Sequence, residues 1–204
     1  VTKFEDDPAA LRDASKDLER IRSLMDLATE YSHLSGVSIL LSGVLAVGGV
    51  GACWGLGIDF NLPAHADLLA VVWGAVFGLA AVQGVAFSIA NARRKTEPAW
   101  SPLTRQVVTA MLPALFAGAA LTGYGLRTGQ IDLLPPCWML AYGSSLMGLG
   151  LFAGGRIRLA AVAFLVLGAA SLFLWKEHGL ATMLATFGGL HLILGAWVIW
   201  KPRV

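Results

Sequence analysis

Past residue 33 the chain is a succession of apolar runs. Six stretches, 34–56, 66–90, 102–126, 135–154, 158–175 and 180–200, are apolar almost throughout and are separated by short polar pieces. Each is close to the ~20 residues a helix needs to cross the hydrocarbon of a bilayer. The pattern predicts an all-α, polytopic membrane protein, with a six-transmembrane-helix bundle over 34–204. Residues 1–33 read differently. Charges crowd there, and apolar residues recur at 3-4 spacing: Leu11, Ala14, Leu18, Ile21, Met25 and Ala28. This is the heptad stripe of an amphipathic cytosolic helix. Asp7-Pro8 supplies an N-cap and a proline at the first helical position. The same spacing carries on through Ser32, Ser35, Ile39, Ser42, Ala46, Gly49 and Cys53, but with mostly small residues. A packing face in water needs large apolar side chains, whereas in lipid small ones let backbones approach. One face is therefore expected to pass from cytosol to membrane near Ser32.

Charge changes this picture by giving it a direction. Of the 15 basic residues, 13 fall in the head, in the second and fourth connections, in the first turn of span three and after span six. The other side has only Arg127 and Lys176. By the positive-inside rule both termini of this multi-pass protein are expected in the cytoplasm. Trp54, Tyr124, Trp138 and Trp175 then fall at the outer interface, and Trp197 and Trp200 at the inner one. The overall charge of +2 averages an acidic head with basic loops and points to no nucleic-acid partner. A long charged segment precedes the first apolar run, so no cleavable signal peptide is expected. The connections at 154–156 and 176–179 are tight turns, which makes spans four, five and six antiparallel neighbours.

Ile21-Arg22-Ser23-Leu24-Met25, then Ser32-His33-Leu34-Ser35-Gly36 and a Gly-rich first span, resembles a family of uncharacterised bacterial integral membrane proteins. The resemblance covers residues 18–50 and departs from the family's pattern at Asp26 and Tyr31. It implies a bacterial inner-membrane protein and brings no activity or ligand with it.

Few residues in the spans carry chemistry. Apart from Tyr142, His191 is the only ionisable residue near the middle of a span, which makes it a functional-site candidate by default. Counting ~1.5 Å per residue sets it level with Ser144 and Ser145, so a neutral His191 bonded to one of these serines is expected; a pore-lining role is the alternative. His65, Asp67, Glu177 and His178 are valid metal ligands that could meet at the outer surface, though no spacing motif joins them. The depths of the four histidines do not pair for an axial haem site except at His65 and His178, which lie at loops. Cys53 and Cys137, both at the outer interface, are candidates for a disulfide; two buried free thiols are the alternative. Gly51/Gly55, Gly74/Gly78 and Gly150/Gly154 are small-xxx-small pairs that mark close helix packing. No span carries a central carboxylate, and no nucleophile, zinc or phosphate-loop motif is present.

These observations favour a non-catalytic membrane protein. The expected function is that of an accessory, regulatory or self-associating subunit acting through the N-terminal helix, with the lipid bilayer, its own copies or a larger membrane complex as partners and no cofactor. A small-solute channel or carrier lined by His191 is the second reading. A metal- or haem-binding redox protein is the third. The head itself has two geometries: a straight continuation into span one that self-associates, or a bend at Ser35-Gly36 that docks it on the bundle or the membrane surface.

Overall fold

The computed structural model describes residues 16–18 and 34–200. Among them all regular structure is helical. The helices are α1 (Gly36–Leu56), α2 (Ala66–Arg94), α3 (Pro102–Thr128), α4 (Leu134–Ala153), α5 (Gly155–Leu174), α6 (Gly179–Met183) and α7 (His191–Trp200). A wide π turn, Leu184–Leu190, joins α6 to α7, so the last three elements form one rod. Five rods among the described residues are long and apolar enough to cross a membrane: Gly36–Leu56, Pro63–Arg94, Pro102–Thr128, Gly155–Leu174 and Lys176–Trp200. The chain is therefore a membrane-type helical bundle.

α4 has the length but not the hydropathy of the others. Its 20 residues include Pro135, Pro136, Tyr142, Ser144 and Ser145. The reason is its position: α4 packs on both α3 and α5, and half of its residues are buried. A helix that faces protein on several sides can carry polar groups, provided neighbours satisfy them. Around the other half of the bundle, α1 packs on α2, on the π turn and on α7.

The ends of these helices follow from the sequence. Ser101 caps α3 by accepting from the Thr104 amide at 3.1 Å, and Pro102 follows at the first position. Pro113 lies inside α3, which runs through it as one helix. The α4–α5 connection is Gly154 alone, at φ 86°, a left-handed conformation that favours glycine. Ser35 is extended (φ −106°, ψ 121°) and accepts from the Ser38 amide, so α1 begins afresh at Gly36. This corrects the straight arm: the chain does not run as one helix from the head into the first span. Of the head, Lys16 to Leu18 are helical, with Leu18 61% exposed; the other members of the 11–28 stripe lie outside the described residues.

The membrane half of the stripe has a different role from the one its spacing suggests. Ala46, Gly49 and Cys53 are buried, Ser42 bonds to Gln83 of α2, and a Cβ on Gly49 would stand 2.7 Å from Val76. This face is consumed by α2 inside the bundle. The sequence phase was right about a packing face but could not say which helix it meets.

Candidate functional site

His191 is the natural starting point. It opens α7 directly after the π turn and is 7% exposed. Its Nε2 lies 2.8 Å from the Tyr142 hydroxyl of α4, not against a serine. Ser145 is fully buried but turns to α3, where its hydroxyl donates to the Met111 carbonyl at 3.3 Å. Ser144 is exposed. The depth count put His191 within a turn of its true partner. Rotation about the α4 axis then decided which residue it meets, and the π turn winds the preceding rod differently from an ideal α-helix.

The surroundings of the pair are aromatic. Phe187 stacks on the imidazole with ring centroids 6.0 Å apart and 17° between planes, and Phe164 meets it edge-on at 5.5 Å. Tyr142 packs edge-on against Phe164, and Phe77 of α2 lies 4.5 Å from Trp138 and 5.8 Å from Phe187. Helices α2, α4, α5 and the last rod thus meet in one aromatic core. The Phe187 and Thr186 carbonyls of the π turn lie beside the imidazole. Nδ1 makes no hydrogen bond among the described residues, and in the Tyr142–Nε2 contact either group can donate, according to the tautomer.

Gln83 and Trp138 are paired in the same way, whereas Trp73 Nε1 of α2 and Ser171 Oγ of α5 are buried with no hydrogen-bond partner among the described residues. Gln83 of α2 accepts from the Ser38 hydroxyl at 3.0 Å, and its amide donates to Ser42 Oγ at 2.8 Å and to the Ser38 carbonyl at 3.1 Å. Trp138 Nε1 donates to Thr122 Oγ1 of α3 at 2.8 Å. Leaving such groups unpaired away from water would cost several kcal/mol each by transfer scales of roughly 2–7 kcal/mol, so pairing is their expected structural state.

At one end of the bundle three loops converge. A cleft of about 630 Å³ is lined by Phe60, Asn61, Pro63, Gly129, Asp132, Lys176, Glu177 and His178. It joins the α1–α2, α3–α4 and α5–α6 connections. Lys176 bridges to Asp132 at 3.2 Å, and Asn61 donates to the Glu177 carbonyl at 2.8 Å. The proposed quartet does not assemble here. His65 is turned to the chain, where its Nδ1 accepts from the Asp59 amide at 3.1 Å, and Asp67 sits on the first turn of α2. Among the described residues no three His, Cys, Asp or Glu side chains are placed to hold a metal ion. Cys53 and Cys137 are both free, which corrects the disulfide: Cys53 is buried in the α1–α2 face, while Cys137 sits on α4, a helix that packs on α3 and α5.

A set of glycines at longer spacing organises the bundle. A Cβ on Gly195 would fall 2.6 Å from the Leu40 amide nitrogen, and one on Gly43 would fall 3.0 Å from the Gly188 carbonyl. Gly36 and Gly43 therefore interlock with Gly188 and Gly195 in an antiparallel pair. Gly143 and Gly150 pack against α5 in the same manner, and Gly118 and Gly125 against α4 and the turn before it. In each of these pairs the glycines are seven residues apart, a spacing visible in the sequence. By contrast, Gly48, Gly51, Gly55, Gly74 and Gly78 have nothing within 4 Å. Two of the three small-xxx-small pairs thus face outward, and of the third only Gly150 is a helix contact.

What this arrangement defines is a membrane-type helical bundle with an aromatic core, in which Gln83, Trp138, Tyr142 and Ser145 are paired with other groups of the bundle. No family model, curated protein or solved structure matches the chain.

Proposed function

We propose that this protein is a non-catalytic integral membrane subunit that works by association, with its own copies or within a larger membrane complex. The observation that carries this is the contrast between its two sets of glycines. Those at 36, 43, 188 and 195 are consumed by close helix contacts, whereas Gly48, Gly51 and Gly55 of α1 and Gly74 and Gly78 of α2 leave open, small-residue surface on apolar helices. Small residues on a lipid-facing helix let a second backbone come near, where packing and not the hydrophobic effect drives association. The pairing of Gln83, Trp138, Tyr142 and Ser145 within the bundle supports the same reading, since it leaves these groups engaged with one another. The aromatic packing around His191 favours a structural histidine over one that lines a path.

In this reading the bundle crosses a bacterial inner membrane six times, α4 included, with both termini in the cytoplasm. The end-to-end charge asymmetry supports that orientation. The head's stripe, Leu11 to Ala28, supplies a second association surface on the cytosolic side. Because α1 begins afresh at Gly36 after the extended Ser35, the stripe is proposed to act by itself and not as a continuation of the first span. The test is light scattering of the full chain in mild detergent, wild type against Leu18→Glu/Ile21→Glu. The wild type should be larger than one chain and the variant smaller than the wild type. A monomeric wild type, or an unchanged size in the variant, would refute association through the stripe.

A further inference from the structure

The two ends of the bundle differ sharply in charge. At the end formed by the α2–α3 and α4–α5 connections, the described residues include Arg93, Arg94, Lys95, Arg105, Arg156 and Arg158, against one acidic residue, Glu97. At the opposite end Asp59, Asp67, Asp132 and Glu177 outnumber Arg127 and Lys176.

The helix contacts gather three of these arginines about one turn. A Cβ on Gly148 of α4 would stand 2.9 Å from the Ala110 carbonyl of α3, and Gly118 faces Trp138 and Ala141. That antiparallel register, carried on toward the end of α4, sets Arg105 level with Ala153. On the other side of α4, a Cβ on Gly150 would stand 2.5 Å from Arg158 Cγ, so the stem of Arg158 lies along α4. Arg156, next to the Gly154 turn, places its guanidinium 5.5 Å from the centre of the Trp197 ring. Arg105 and Arg158 are exposed. Trp100 and Trp200, on the flanking α2–α3 loop and at the end of α7, are exposed at this same end.

We infer that the arginine rim around the α4–α5 turn, Arg105, Arg156 and Arg158, is a binding surface for the headgroups of anionic phospholipids. Tryptophan rings sit at the headgroup level of a bilayer, so the rim stands where phosphates are densest. Guanidinium groups bind phosphate through paired hydrogen bonds as well as charge. Near an anionic leaflet each arginine is worth about a fivefold gain in lipid partitioning. The inference does not depend on the association reading.

The experiment reconstitutes the full chain into nanodiscs of three parts phosphatidylcholine to one part phosphatidylglycerol, and measures the lipids that stay with the protein after brief detergent extraction. Among the lipids retained by the wild type, the ratio of phosphatidylglycerol to phosphatidylcholine should be about fivefold or more above the ratio in the bulk bilayer. Arg105→Gln/Arg158→Gln should bring retention close to the bulk ratio, Arg105→Lys/Arg158→Lys should keep most of it, and Arg127→Gln at the opposite end should change nothing. Arg93→Gln/Arg94→Gln, on the exposed end of α2, should lower retention less than the pair at the turn. Equal retention by the wild type and the paired glutamine variant overturns the inference. So does a wild type with no preference for phosphatidylglycerol, or an equal loss in Arg127→Gln. If the glutamine pair does not fold, the wild type's own preference and its loss in 0.5 M salt, where the Debye length falls to roughly 4 Å, decide the matter: no preference or no salt effect overturns it.

Discussion

Replacing Gly195 by alanine adds one methyl group at a tight backbone contact between α1 and α7. The new Cβ would stand 2.6 Å from the Leu40 nitrogen, 2.8 Å from Leu40 Cβ and 2.9 Å from the Gly36 carbonyl oxygen. Two of these atoms are backbone, so no side chain can swing aside. Carbon contacts are comfortable at about 3.5–4.0 Å, so α1 and α7 must part by roughly 1 Å along a face that also holds Gly43 against Gly188. Overpacking of this kind costs about 1–3 kcal/mol, while the better helix propensity of alanine returns up to ~1 kcal/mol. Gly123 of α3 makes the control, because a Cβ there meets nothing within 4 Å. Thermal unfolding in one mild detergent, followed by intrinsic fluorescence, reads the difference. Taking a net cost of about 1–2 kcal/mol and about 2–4 °C per kcal/mol for a chain of this size, Gly195→Ala should lower the midpoint by roughly 2–8 °C, and Gly123→Ala should leave it unchanged or raise it slightly. Equal midpoints for the two variants would refute the interlocked-glycine account of the α1–α7 contact.

The Tyr142–His191 pair should behave as a unit: Tyr142→Phe strands a buried ring nitrogen and should cost about 1–3 kcal/mol, whereas Tyr142→Phe with His191→Phe should recover part of that loss in a double-mutant cycle. Strict additivity of the two changes would show that the bond contributes nothing. Two thiols should titrate in the unreduced, unfolded protein, because Cys53 and Cys137 are free; none would mean that a disulfide forms. Reporter fusions at Gln130 and Lys95 should report opposite sides of the membrane, with Lys95 cytoplasmic. The same side for both would break the six-span topology.

Much of the bundle was legible in the sequence because a bilayer imposes a simple rule: backbone polar groups must be satisfied within the segment, so long apolar runs become helices. The runs at 34–56, 102–126 and 158–175 match α1, α3 and α5 within a few residues. α4 was legible as a helix, but its proline pair and its serines also made it the least apolar, and its central place explains why. The site was harder. His191 stood out by chemistry, yet its partner depended on rotation about α4 and on a π turn that no residue pattern announced. Gln83 meets Ser38 and Ser42 from more than forty residues away on α1, a pairing that no local pattern shows. The short GxxxG spacing drew notice to glycines that face outward, whereas the seven-residue spacing of Gly36/Gly43 and Gly188/Gly195 marked the contacts that hold the bundle together.

Association is the central claim, and mass tests it most directly. The chain should be taken from its membrane with a belt of surrounding lipid, without detergent, and weighed by native mass spectrometry. One copy has a mass of 21.5 kDa. The account predicts protein assemblies heavier than this, as whole multiples of the chain or as the chain joined to other subunits, and a shift toward the single chain when Gly51 and Gly55 are both replaced by leucine. A wild type found only as single 21.5 kDa chains would contradict it.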